Sequence, residues 1–569
     1  MQKQYSTPFL LISSFKRLIL SILIIIFTQT QLFAFIHPSN GSQLTQIHLM
    51  FEWNEIPQAT KYECSIWKID TLTQKKSKLK TITSSSLSFL ETTVLQFNCT
   101  YAWQVKAYHN NQLLHTDSLR HFQILTTAAI QPNYFKTEIN FNQKPHQEII
   151  FIDHLAIAMD KTGKPIWFLP IPTDSLSKWI FRDLKQTPFG TISYIDINGA
   201  YEKSLSGNVI WQAPNDGLVS KLKTEDYHHD FTKNKDGSFT VCGSYYLPDN
   251  KGKYSRNTNA IRYNTLIHYN ADKTIQWSWN EWNSLNHDSI FKSNYNINNA
   301  GHLNGFAFTK DQRNIWMSFK NFSDVYLYNI DSNKFISSLK HSISTNPVYF
   351  EQQHGPSITK QNEILIYNNN ISENDDGETK VVKHPSIMLF EYLPQNRKSI
   401  LKWTYTITSK KYPEGIAGKE GYVSATTKGN FLVCPGGANF LAEITKSKAK
   451  IWECYFYKKT AKDTAWKSFT NYRCQIASSL YPLYFTLQKL NQNKQQSTFR
   501  LHNAGTENGQ YKLEFYNEKD ALIATKYSTV IAANDYEDFK LANSKLEKAV
   551  VRCVISTMHV KEITKTYKF

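Results

Sequence analysis

The chain has 569 residues, 14% of them aromatic and few in long helical patterns, which sets aside a single ordinary core and an all-helical fold. Its formal net charge of +18 is spread along the chain without Lys/Arg blocks. An anionic ligand or surface gains from that field, while no nucleic-acid module is legible. Cys64, Cys99, Cys242, Cys434, Cys454, Cys474 and Cys553 form no C-x-x-C, which removes zinc and thiol-redox motifs of that kind.

In chain order, Lys16 and Arg17 precede the apolar run Leu18 to Phe27, and a small residue follows at Ala34. This predicts a secretory signal peptide over residues 1–34, since the run is shorter than the roughly 20 residues a spanning helix needs. The expected location is periplasmic or secreted, without stable membrane insertion after cleavage. Export permits disulfides. Cys64 and Cys99 are the expected pair because both fall in the first small unit, and the odd cysteine count leaves at least one thiol free.

Residues 35–127 resemble the fibronectin type III sandwich. The resemblance rests on a Pro38-Ser39-Asn40-Gly41 entry, Trp53 on an early strand, Ala59-Thr60-Lys61-Tyr62 opening the next, and alternating Tyr101, Trp103, Val105 and Ala107. It implies a spacer or docking unit with no chemistry of its own.

A loose repeat then runs from about 130 to 460. An apolar strand, a polar turn and a strand ending near Trp recur, as in "LAIAMDKTGKPIWFL" and "LFEYLPQNRKSILKWTY". Trp167, Trp211, Trp277, Trp403 and Trp452 mark five copies, and Ser337 stands in the remaining one. Such spacing suits four-stranded blades with variable loops, so the expected fold is all-β: a six-bladed β-propeller over 128–485.

Three histidine groups recur within that repeat: His228 and His229 in "YHHDF", His302 with Asn304 in "GHLNGF", and His354 in "QQHGPS". The segment after His302 alternates apolar and polar residues through Asn314 to Lys320 and Ser323 to Asn329, with Lys320 at a strand end. Each His stands a similar distance before a strand. Equivalent positions in successive blades meet at the mouth of a propeller, so the three groups are expected to form one shared site.

At these residues the chain resembles the bacterial aryl-sulfate sulfotransferases. The motifs are "HHD" (228–230), "HLN" (302–304), "SFK" (318–320), "QHG" (353–355), "GNFLV" (429–433), "NYR" (471–473) and "SLYP" (479–482). The resemblance implies a ping-pong transfer of a sulfuryl group from a phenolic sulfate ester to a phenolic acceptor. His354 is then the nucleophile that becomes a sulfohistidine, and the imidazole must be neutral to attack. His302, Asn304 and Lys320 are expected to clamp sulfuryl oxygens, His229 to exchange protons with the phenols, and His228 to bind substrate beside it. No cofactor and no metal are expected, the partners are the small-molecule donor and acceptor, and a homodimer is compatible with the reading.

The chain departs from the family at three places. Lys320 stands where the family has Arg, Asn368-Asn369-Asn370 where it has Asp-Asn-Gly, and Pro385-Ser386 where Ser-Arg is expected. Two other readings of the same imidazoles stay open: a metal-dependent hydrolase or lyase, and a non-catalytic propeller that binds a sulfated or phenolic ligand or a glycan. Residues 486–569 alternate through several strands and predict a small C-terminal β-sandwich with a packing or docking role.

Overall fold

The computed structural model describes residues 36–142, 148–171, 181–248, 260–287, 301–340, 350–373, 379–381, 384–416, 418–460, 462–492, 496–542, 552–557 and 560–568. The expected signal peptide lies outside the described residues. The described chain is nearly all β, and its one described α-helix is the short Glu281–His287.

Five antiparallel sheets follow one another along the chain, the first four of four strands each and the fifth of six strands that include Phe135–Asn142. They begin with the strands Arg182–Gln186, Tyr227–Lys233, Leu303–Phe308, His354–Ile358 and Tyr422–Ala425. One further sheet is built from both ends of this region. Its members Ile149–Ile152, Ile157–Asp160 and Pro165–Phe168 are joined by Cys474–Ala477, which pairs antiparallel with Ile149–Ile152. Each first strand touches the first strand of the next sheet, and Cys474–Ala477 touches both Tyr422–Ala425 and Arg182–Gln186. The contacts therefore close into a ring, and the fold is propeller-like.

The sequence accounts for this stacking. Middle strands such as Ile149–Ile152, Ile364–Asn368 and Phe431–Cys434 are buried throughout, as expected when both faces of a sheet are covered by neighbours. Turns carry Asp residues at Asp160, Asp236 and Asp272, whose carboxylates accept from the backbone N–H two residues on. All five repeat tryptophans, and Ser337, fall on the fourth strand of a sheet. Four of the indole N–H groups reach across to a turn of the following sheet. Trp167 donates to Leu205 O at 2.9 Å, Trp211 to Ala271 O at 3.2 Å, Trp403 to Lys446 O at 2.8 Å and Trp452 to Lys161 O at 2.8 Å. The last of these stitches the end of the ring to its beginning.

The N-terminal unit, Ser42–Leu44 to Arg120–Ile124, forms two sheets around Trp53, Tyr62 and Trp103, all buried. Its core runs on into Phe151, Trp167 and Leu480 of the ring. The C-terminal strands Phe485–Gln492 to Val560–Lys568 form two sheets over Leu487, Phe499 and Phe515. The two terminal units meet at a buried ion pair, Lys565 Nζ to Glu52 at 2.6 Å, with the Tyr484 hydroxyl also donating to Glu52 at 2.5 Å.

The expected Cys64–Cys99 disulfide is absent, and all seven cysteines are free. Register gives the reason. Cys64 lies opposite Val105 on the Cys99–His109 strand. The stretch from Val105 back to Cys99 is about 20 Å at ~3.4 Å per residue, well past the roughly 7 Å that a disulfide spans between Cα atoms.

Candidate active site

The three histidine groups meet at one end of the ring. His228 and His229 open the strand Tyr227–Lys233, His302 immediately precedes Leu303–Phe308, and His354 begins His354–Ile358. Each of these innermost strands starts with an irregular register against its neighbour, as does Arg182–Gln186. The kinks coincide with left-handed backbone at Asp183 (φ 57°), His229 (φ 62°) and Gly355 (φ 47°), and His302 (φ 57°) stands just before the remaining one. A bulge of this kind bends the strand and re-aims the side chain at its tip.

The hydrogen bonds assign the tautomers, taking each ring as neutral. His228 Nε2–H donates to Gly243 O at 2.9 Å, which leaves its Nδ1 as an acceptor. His229 Nδ1 stands 2.7 Å from that atom and so carries the proton between them. His229 Nε2 then has a lone pair and accepts from His302 Nε2 at 3.2 Å. Three imidazoles thus form a directed chain ending on a backbone carbonyl. Burial holds His228 down at about 3 with help from the Arg262 charge, and burial followed by the charges of His228 and His302 holds His229 well below its usual range.

His354 is poised differently. Its Nδ1–H donates to Gly421 O at 2.8 Å, so Nε2 is the bare nitrogen, and the Tyr472 hydroxyl approaches it at 3.3 Å. Burial first, and the Arg473 guanidinium second, keep the ring neutral far below the usual histidine pKa. The His229 ring is 6.1 Å from the His354 ring and 6.0 Å from that of Tyr472. The arrangement is a neutral imidazole whose one lone pair faces the Tyr472 hydroxyl.

The remaining expected site residues take particular places. Asn304 is fully buried and turns its amide to the backbone on either side of His354, donating to Gln353 O at 2.7 Å and accepting from Gly355 N–H at 3.4 Å. Expected to touch substrate, it is placed where it holds the loop that carries His354. His228, also expected to bind substrate, is buried behind His229. Lys320 is brought beside His302 by its backbone N–H, which donates to His302 O at 3.1 Å.

Three groups at the centre carried no role in the sequence reading. Tyr472 and Arg473 lie just before the ring-closing strand, and "NYR" was visible only as a motif. Arg473 is 1% exposed and pairs with Asp230 at 2.9 Å and Asp183 at 3.2 Å, while its Nη2 donates to Asn304 O at 2.7 Å. Asp153 takes the N–H groups of Tyr472 at 3.2 Å and Arg473 at 2.8 Å, fixing both. Gly305 and Gly355 make room for the guanidinium. A Cβ on Gly305 would sit 2.9 Å from Arg473 Nη2 and one on Gly355 3.1 Å from it. No sequence signal pointed to Asp153 or Asp183.

Among the described residues, no three His, Cys, Asp or Glu side chains converge as a metal-holding group.

No family model matches the chain, and no curated protein matches it. Among solved structures it is similar to a streptogramin B lyase at 11% identity, covering 57% of this chain and 98% of that one with a TM-score of 0.29. A luciferin-regenerating enzyme matches at 11% identity over 59% of this chain and 99% of its own, TM-score 0.28. The extracellular domain of a hybrid two-component system from B. thetaiotaomicron matches at 10% identity over 82% and 53%, TM-score 0.30. At these scores the likenesses carry no argument about activity.

Proposed function

We propose that the protein is an exported aryl sulfotransferase, a six-bladed propeller (128–485) carrying a fibronectin type III-like unit (35–127) and a C-terminal β-sandwich (486–569). The observation that carries this reading is His354: its Nδ1–H is tied to Gly421 O at 2.8 Å, which leaves Nε2 unprotonated on the ring that stands 6.1 Å from His229. In the first half-reaction Nε2 attacks the sulfur of an aryl sulfate, an N–S bond forms, and the S–O bond to the aryl group breaks. The phenolate leaves as the anion and takes its proton from solvent, the same solvent to which His229 returns the proton it gains in the second half-reaction. In the second half-reaction an acceptor phenol attacks the sulfohistidine, His229 Nε2 takes the phenol proton, and the N–S bond breaks to regenerate neutral His354. Charge gathers on the sulfuryl oxygens if the transition state is loose, as in phosphoryl transfer, and donors around His302 and Lys320 meet it.

The test is incubation of the purified mature protein with 4-nitrophenyl sulfate, with and without phenol. Phenol-dependent release of 4-nitrophenol is the expected result. Equal release with water alone would make the protein a sulfatase, and no release across a broad panel of aryl sulfates would leave a ligand-binding propeller.

A further inference from the structure

The ring repeats one device that a single motif hides. Asp183 and Asp230 occupy matching places on neighbouring innermost strands: Asp183 accepts Phe231 N–H at 2.8 Å and Asp230 accepts Phe306 N–H at 3.2 Å, each on the next strand round. Both carboxylates also face Arg473. The residue before Asp230 is His229, and the residue before Asp183 is Arg182. Arg182 is therefore the repeat equivalent of His229, at the tip of a strand that kinks in the same way.

Its surroundings agree. The Arg182 guanidinium carbon stands 5.7 Å from the centre of the Tyr472 ring, the ring that His229 faces at 6.0 Å and whose hydroxyl meets His354 Nε2. The residue is half-buried. Its other side lines a cavity of about 320 Å³ with Asp196, Glu225 and Asp226. Two of those carboxylates are engaged elsewhere. Glu225 accepts the backbone N–H groups of Val219 and Ser220, and Asp226 takes Arg262 and the Tyr246 hydroxyl, while Asp196 accepts the Asn198 N–H through one oxygen and keeps its other oxygen buried without a hydrogen bond. Among the described residues no carboxylate is paired with Arg182.

We propose that Arg182 is an anion-binding residue of the site, its planar fork holding non-bridging oxygens of a sulfuryl ester presented to His354. This deepens the sulfotransferase reading and rests on it for the identity of the ester. It also gives the site a guanidinium where position 320 carries an ammonium. Arginine offers two parallel N–H donors to a tetrahedral oxyanion, and lysine a single point charge.

The experiment uses Arg182→Ala and Arg182→Lys in the full mature chain, with circular dichroism to verify folding. Two quantities are read: the dissociation constant of inorganic sulfate by calorimetry at fixed ionic strength, and kcat/KM for 4-nitrophenyl sulfate. Sulfate affinity should fall about 10- to 100-fold in the Ala variant and less in the Lys variant, with KM for the ester rising in parallel. If the parent protein turns over aryl sulfates while both variants keep its sulfate affinity and KM, the Arg182 assignment is wrong and the transferase reading stands. If no aryl sulfate is turned over but sulfate binding still depends on Arg182, the reaction is wrong and the anion site stands. A parent protein that binds no sulfate overturns the assignment outright.

Discussion

The Tyr472 hydroxyl lies 3.3 Å from Nε2 of His354, although the two residues come from well-separated parts of the chain. Only Arg473 separates Tyr472 from the strand Cys474–Ala477 that closes the ring, so the surroundings of His354 are completed only when closure occurs. His354→Asn should keep the fold and abolish both half-reactions, because no carrier remains for the sulfuryl group. Mass spectrometry after exposure to a donor without acceptor should find an acid-labile addition on the peptide containing His354. Label on another residue, or full activity in the Asn variant, would sink the assignment.

Once Nε2 binds sulfur, the Tyr472 hydroxyl loses its acceptor and faces the new sulfuryl oxygens. Tyr472→Phe should then slow transfer on the order of 10² to 10³-fold, the usual cost of deleting one oxyanion donor. Substrate binding should change little. Unaltered single-turnover kinetics in this variant would mean that the hydroxyl serves packing alone.

His302→Asn should also slow transfer by a finite factor, on the order of 10² to 10³. The Lys320 backbone is tied to His302, so a side chain at 320 starts from the edge of the cluster. Lys320→Arg should raise turnover by restoring a bidentate fork. A fall in kcat with Arg at this position would show that the site is shaped around the ammonium.

How much of this was legible beforehand depends on the range of the contacts. The tryptophans that mark fourth strands and the histidines that open first strands recur locally, so their register was readable from spacing. Tyr472, Arg473 and Asp153 were not. Their roles arise where Cys474–Ala477 meets Ile149–Ile152, a pairing between distant segments that leaves no local periodicity. The burial of Asn304 against the loop of His354 was not readable, because an exposed amide and a buried one look the same in sequence. The Cys64–Cys99 expectation failed for a related reason: proximity in a small unit says nothing of strand register.

The pH response follows from the buried imidazoles. Attack requires neutral His354, whose pKa lies well below 6.5 through burial and the Arg473 charge. The profile of kcat/KM should therefore stay flat as pH falls through 6.5, where an ordinary histidine would already lose activity. For stability the sign is fixed by His228, which sits at about 3 when folded and near 6.5 when unfolded. Between those values the unfolded chain binds the proton and the folded chain does not. The contribution is full above pH 6.5 and is lost as pH falls toward 3. The gap in unfolding free energy between the parent and His228→Asn should accordingly narrow on acidification, and a gap that widens would reverse the assignment.

Arg473 tests whether the centre of the ring is held by charge. Its guanidinium is almost fully buried, as are Asp230 and Asp183, so each side of this network depends on the other to offset desolvation. Burial opposes the charge on Arg473, yet Asp230, Tyr472 and Asp183 hold it protonated. On the other side, burial alone would raise Asp230, and the nearby Arg473 and Lys185 charges bring it below the usual carboxylate range. Arg473→Met leaves Asp183 and Asp230 to share the one ammonium of Lys185, at 2.7 and 3.2 Å, a charge short of compensation in the interior, and should cost about 3–5 kcal/mol in urea unfolding. It should also abolish activity, since Arg473 Nη2 holds Asn304 O, and Asn304 in turn brackets His354. Adding Asp230→Asn removes one stranded charge and should recover part of the stability but none of the turnover. If Arg473→Met unfolds at the same urea concentration as the parent, the ring is held by packing of its sheets, and the buried charges serve only to aim His354.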